Sequence, residues 1–315
     1  MAIRKIQLLL ALLLLNFFPA KPVMAADSRE EVRIDWDKVE RISKTTATLQ
    51  VVVMPPLRRG SLIHKQAFQS LKDLQADYVR FVPWVPYPKL AVAALQPLHD
   101  GKTSWDFSLI DPIVIDFLEA VKGRPVIMDF STIPAWMFKT REPVRYETEP
   151  DKLVRGYGTQ GTELRDPSGK ELGDYYARLL QWYTQGGFTD EYGKRHASGH
   201  RFKFDYWEVL NEPDIEHKMT PEQYTARYDV IVMAMRRIDP EMKFIGISLA
   251  YPSKSPEFFE YFLNPKNHKP SVPIDMISYH FYAKSLPDQT PETYPLTFFE
   301  QADRFIDVVL SLIHI

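Results

Sequence analysis

Residues 203–214, KFDYWEVLNEPD, decide how the rest of the chain reads. Tyr206, Trp207, Val209 and Leu210 favour a strand, and Pro213 removes a backbone donor directly after Glu212, which ends a sheet ladder. Glu212 is thereby placed at the carboxyl end of a strand. In a parallel α/β barrel that end is the face where catalytic side chains gather. An acid beside an amide at such a place suits cleavage of a glycosidic bond. The carboxylic acid can protonate the leaving oxygen, and the amide of Asn211 can hydrogen-bond a sugar hydroxyl. An ordinary polar strand end would show the same three residues, because N-E-P is a short motif.

Outward from this stretch, strands and helices alternate. Residues 48–54, TLQVVVM, form a near-continuous apolar run, which predicts a strand buried on both faces, closed by Pro55-Pro56. Residues 64–74 have helical spacing, with Phe68, Leu71 and Leu74 on one side, and 77–82 form the second strand. A helix over 110–121 ends at Gly123, followed by a third strand over 125–130. A helix over 175–183 leads to the strand that carries Glu212. Thr220-Pro221-Glu222 combines a cap, a first-turn proline and an early acid, and opens a helix reaching residue 238. Strands over 243–248 and 274–279 follow, with helices over 256–263 and 298–310. The fold class is therefore α/β: a (β/α)8 TIM-type barrel, incomplete, with about six of eight βα units present. Residues 83–97 are a proline-rich rim loop. Residues 139–173, with Asp166-Pro167-Ser168-Gly169, are a long turn-rich excursion of the kind that is usually functional or mobile.

Trp207-Glu208-Val209-Leu210-Asn211-Glu212-Pro213 resembles the strand-four motif of the clan-A glycoside hydrolases, and within them family 39, which includes β-xylosidases and α-L-iduronidases. The resemblance runs from about residue 48 to about residue 307. It implies that Glu212 is the general acid/base and that Asn211 holds the substrate's 2-hydroxyl. It also implies that Arg80, on the second strand, orients the nucleophilic Glu, with a purely structural ion pair as the alternative. Residues 131–136, STIPAW, resemble the family's third strand end, which makes Trp136 a candidate stacking platform. Trp84 and Tyr87 on the rim loop are further candidates for lining a sugar subsite, though each could simply be packed. His280 and Tyr282, in H-x-Y after the sixth strand, resemble residues that touch substrate and nucleophile; a loop histidine beside packed aromatics is the alternative.

The resemblance thus implies an enzyme that cleaves O-glycosidic bonds by retaining double displacement, with a carbohydrate substrate and no cofactor. In the clan the nucleophile lies on strand seven, one strand beyond the last unit found, so it is expected to be missing from this chain. A non-catalytic carbohydrate-binding protein on the same barrel is the alternative function. Glu208 is not expected to be the second carboxylate. Four extended residues at about 3.3 Å each separate it from Glu212 by about 13 Å, whereas glycosidase pairs lie about 5 to 9.5 Å apart. Glu208 reads instead as a lower residue of the barrel paired with a cation.

Composition bounds the rest. The chain has 315 residues, 45% hydrophobic and 13% aromatic, enough for one barrel-sized domain. A net charge of -2 with no basic run gives no reason to expect a nucleic-acid partner. The absence of cysteine excludes disulfides, thiolate metal sites and thiol catalysis. His196 and His200 have the i,i+4 spacing of a helical metal site, but Ser198-Gly199 lies between them and no acid follows the first histidine, so no metal is expected. Arg4 and Lys5, the apolar run 6–18 and Val23-Met24-Ala25 make residues 1–25 a signal peptide cleaved after Ala25. The run is too short to span a bilayer comfortably, so the mature protein is expected outside the cytoplasm, secreted or periplasmic, and not membrane-bound. Residues 26–309 are the partial catalytic domain. Residues 310–315, LSLIHI, read as a foreign tail matching a translated transposon-based sequencing adapter, with a native apolar helix end as the alternative.

Overall fold

The computed structural model describes residues 33–40, 42, 46–97, 99–100, 104–146, 148–154 and 161–312. The expected signal peptide and residues 313–315 of the expected tail lie outside them. Residues 33–40 and 42 belong to a unit of their own, an exposed segment with a turn in which the Asp35 carboxylate accepts from the Asp37 N–H.

From residue 46 onward the chain is built on six parallel strands: β1 (Thr48–Val52), β2 (Tyr78–Val82), β3 (Val126–Met128), β6 (Tyr206–Glu208), β7 (Lys243–Leu249) and β8 (Met276–Tyr279), paired in that order. Between them run α1 (His64–Leu74), α2 (Asp111–Ala120), α3 (Lys170–Thr184), α4 (Pro221–Arg236) and α5 (Glu257–Phe262), with α6 (Tyr294–Ser311) after β8. A doubly wound sheet reverses its strand order at a switch point. This one never does, so crossovers of one hand lay every helix on the same face. The result is a curled half-barrel of six βα units.

Strand alternation places the polar residues on the concave side. Phe81 faces α2, its ring 4.5 Å from that of Phe117, and Trp207 meets Tyr176 of α3 at 6.1 Å. Their neighbours Arg80 and Glu208 bond to each other across the other face. Helix α5 approaches β7 so closely that a Cβ on Gly246 would stand 2.4 Å from the Phe262 ring. Helix α4 starts on the expected Thr220, with a full capping box to Gln223. Helix α3 starts at Lys170, earlier than its spacing suggested, because the Asp166 carboxylate accepts from the Ser168 and Glu171 N–H groups around Gly169.

One expectation is corrected. Strand β1 is not buried on both faces: Leu49, Val51 and Val52 are half-buried and Thr48 and Gln50 exposed, because among the described residues β1 pairs only with β2. Residues 187–197, where the sequence predicts no element, form an antiparallel hairpin, β4 (Gly187–Thr189) with β5 (Arg195–Ala197). At the opposite edge β8 pairs only with β7 among the described residues, and α6 leaves Leu296, Phe298, Phe299, Ile306 and Leu310 exposed. No helix among the described residues is long and apolar enough to cross a membrane.

Candidate active site

The carboxyl ends of β6 and β7 depart from strand geometry together. Leu210 and Glu212 have φ of 65° and 45°, and Ile247 and Ser248 have φ of 80° and 50°. Left-handed conformations at non-glycine residues cost about 1–3 kcal/mol each and persist only where the surroundings hold them. Here the two strand ends are tied to one another. The Glu212 N–H donates to the Ser248 carbonyl at 3.0 Å. The buried Tyr224 hydroxyl accepts from the Ile247 N–H at 2.6 Å and donates to the Val209 carbonyl at 3.0 Å. Asp214, just past Pro213, accepts from the Ala250 and Tyr251 N–H groups at 3.0 and 3.1 Å. The turn at Leu210 also means that Glu208 and Glu212 are not joined by four extended residues, so the strand-step distance does not apply to them.

Arg80 organises the floor. Its Nε donates to Glu208, and its Nη2 donates to Asp129 Oδ2 at 2.6 Å and to Asn211 Oδ1 at 2.9 Å. Nη1 reaches Gln50 at 2.7 Å. Burial works against this cation, but the charges of Glu208 and Asp129 outweigh it and the guanidinium is held charged. Asn211 is fixed at both ends, since its Nδ2 donates to Glu216 Oε1 at 2.6 Å. Asp129 and Glu216 are both raised well above the ordinary carboxylate range. Burial is the first cause in each case, with repulsion from Glu212 among the further causes and Arg80 opposing.

Glu212 stands above this floor, 5% exposed. His280 Nδ1 lies 2.7 Å from its Oε1, and the Tyr282 hydroxyl donates to the same oxygen at 2.8 Å. Burial pushes the Glu212 carboxyl up, but the hydrogen bonds from His280 and Tyr282, with the charges of His280 and Arg80, outweigh it and leave it below its ordinary value. These groups favour the ionised form.

The structure thus brings Arg80, Asn211, Glu212, His280 and Tyr282 into one contiguous network. Trp136 is placed differently: its indole N–H donates to the Ala94 carbonyl at 2.8 Å and the Arg165 guanidinium lies over its ring at 4.5 Å. With Trp105 and Tyr175 it lines a cavity of about 310 Å3 whose wall does not include Glu212. Trp84 lies two residues past the end of β2, half-buried, and its indole N–H has no partner among the described residues. His196 and His200 are not on one helix. His196 sits on β5 against Asp190 at 2.7 Å, and His200 lies 3.3 Å from Asp111. Sequence reasoning missed Glu216 and Ser248. Asp129 was missed as well, although a lone acid in the apolar run VIMDF is a visible signal.

Residues 177–301 match the family "Glycosyl hydrolases family 39". A β-xylosidase of Caldicellulosiruptor saccharolyticus is 28% identical over 225 residues, which is 70% of this chain and 40% of that protein. Over these residues the chain is similar to family 39 glycoside hydrolases. It spans about 40% of the length of that curated relative. The matched stretch takes in Asn211, Glu212, His280 and Tyr282 but not Arg80 or Trp136. Among solved structures, a monomeric β-xylosidase from Caulobacter crescentus CB15 aligns with a TM-score of 0.49 at 20% identity, covering 75% of this chain and 42% of that one. A family 39 enzyme from Xanthomonas axonopodis pv. citri aligns with a TM-score of 0.49 at 19% identity, covering 75% and 40%.

Proposed function

We propose that this chain carries the acid/base half of a retaining O-glycosidase active site, in a protein exported by its first 25 residues, acting on a carbohydrate and needing no cofactor. The observation that carries the reading is the Glu212 carboxylate at a parallel strand end, held by His280 and Tyr282 above the Arg80–Asn211 floor. In this reading Glu212 protonates the leaving oxygen, a second carboxylate attacks the anomeric carbon, and Glu212 then takes a proton from the water that releases the sugar.

That second carboxylate would come from outside the six βα units, on a strand pairing with the open edge of β8. Its arrival also supplies what the acid step lacks. A neighbouring carboxylate within about 5.5 Å raises the proton affinity of its partner, which offsets the pull of His280 and Tyr282 toward the ionised form. Once the nucleophile is esterified, that repulsion disappears, Glu212 returns to its lowered state, and the base role follows. Asn211, held at both ends, would present its amide to the sugar, and Trp84 and Trp136 would wall more distant parts of the cleft.

The test is Glu212→Gln in the full-length protein, assayed on aryl glycosides with a series of leaving groups. Turnover should fall by orders of magnitude for poor leaving groups and far less for good ones. A uniform loss across the series would remove Glu212 from the acid role. Sugar binding without any turnover by the unaltered full-length protein would favour a carbohydrate-binding role.

A further inference from the structure

Arg227 of α4 is 5% exposed and has no charged partner among the described residues. Its Nη2 donates to the Thr162 carbonyl, and the guanidinium lies over the Phe138 ring at 5.7 Å. Both of these partners are neutral. Its Nη1 is buried and makes no hydrogen bond among the described residues. Burial alone sets its acidity, lowering its pKa to about 10. A buried cation without a counter-charge is costly, and proteins normally pair it. Arg80 in this same molecule shows the usual solution, with two carboxylates on one guanidinium.

Arg227 lines a groove of about 640 Å3 between the loop before α3 and the face of α4. Lys139 and Lys269 stand in the same wall, and both are exposed. The wall contains one carboxylate, Glu163, which is 3.5 Å from Lys139. The groove's described lining therefore presents three cations against one carboxylate. We infer that this groove binds a small oxyanion, phosphate or sulfate in class, between Arg227 and Lys269. A guanidinium suits such a ligand because its donors lie in a plane and can bind two oxygens at once. The site is separate from Glu212: none of its lining residues belongs to the Arg80 network.

A free oxyanion and an anionic group carried on a sugar share this chemistry, so inorganic phosphate and glucose 6-phosphate are titrated in parallel into the full-length protein by calorimetry. Sodium chloride at matched ionic strength is the blank. Saturable binding of phosphate above the blank is expected. Equal affinities identify a free-oxyanion site, and tighter binding of the sugar phosphate identifies a carried group. Arg227→Gln should abolish the saturable phase while leaving the thermal midpoint in chloride unchanged or higher, because a buried unpaired charge is removed. Lys269→Ala should weaken binding about threefold, and the exposed Lys269→Glu should abolish it without touching the core. No saturable phase in the unaltered protein, or a saturable phase that survives Lys269→Glu, overturns the inference, whether or not Arg227→Gln folds. Glycosidase activity is not the readout, so a failed glycosidase assignment leaves this result interpretable.

Discussion

Replacing Arg80 with Met tests whether the floor of the site is an electrostatic device or only packing. Arg80 makes the ion pairs to Glu208 and Asp129 and also holds Asn211. Met keeps much of the stem volume and removes every donor, leaving two buried carboxyls without their cation. Breaking a buried pair by deleting one member costs about 3–5 kcal/mol. That cost has a recognisable pH signature. Asp129 is already raised by burial, and without Arg80, whose charge opposes that rise, it holds its proton still more tightly in the folded state than in the unfolded chain. Stability then falls as pH rises, because the native state binds the extra protons. In urea denaturation of the full-length protein, the loss should approach the full 3–5 kcal/mol near about pH 8 and shrink toward about pH 5. Arg80→Lys should recover part of it, since the charge returns without the fork of donors. A loss of equal size at both pH values, or one below about 1 kcal/mol, the scale of an exposed pair, would refute the reasoning.

Tyr282→Phe removes a hydrogen bond to the ionised form of Glu212, whose pKa is lowered partly by that bond, so the alkaline limb of the kcat/KM profile should move to higher pH; an unmoved limb would detach Tyr282 from the acid. His268 is held above the ordinary 6.5: burial lowers it, but the Asp229 carboxylate at 2.7 Å and the Phe262 carbonyl win. Its contribution to stability is therefore complete below about pH 6.5 and is lost as pH rises through the raised value, so the stability gap between the parent and His268→Gln should narrow from neutral toward alkaline pH in denaturant titrations. Residues 26–309 expressed alone should hydrolyse no aryl glycoside and should bind hydrophobic dyes, through the exposed apolar face of α6 and the open edges of β1 and β8; activity lost on Glu212→Gln in that piece would place the nucleophile inside it.

The fold was readable because buried parallel strands announce themselves as short apolar runs cut by proline, as at Pro55, Pro83 and Pro213, and because α1 and α4 carry clear spacing or caps. The edge position of β1 was not readable, since its composition suits a strand covered on both faces and nothing local tells it how many neighbours it has. The β4–β5 hairpin escaped because its strands are three residues each and partly polar. Its closest signal was Gly187, where a Cβ would stand 2.0 Å from the His196 carbonyl oxygen. At the site, Glu212 was marked by its own punctuation. The left-handed turns at Leu210, Ile247 and Ser248 had no mark, because they are imposed by bonds from Tyr224 and between the strand ends rather than by glycine. Glu216 was hidden for the same reason: only the folded chain brings it to the Asn211 amide.

The central claim, that Glu212 is the general acid/base of a retaining glycosidase, is tested most directly by azide rescue of Glu212→Ala in the full-length protein on a 2,4-dinitrophenyl glycoside. Such a leaving group departs without an acid, so the glycosyl-enzyme should form and stall, and azide, which needs no general base, should release it. The account predicts that azide raises the rate by at least about tenfold and yields a glycosyl azide with the anomeric configuration of the substrate. No acceleration by azide, or a glycosyl azide of inverted configuration, would contradict it.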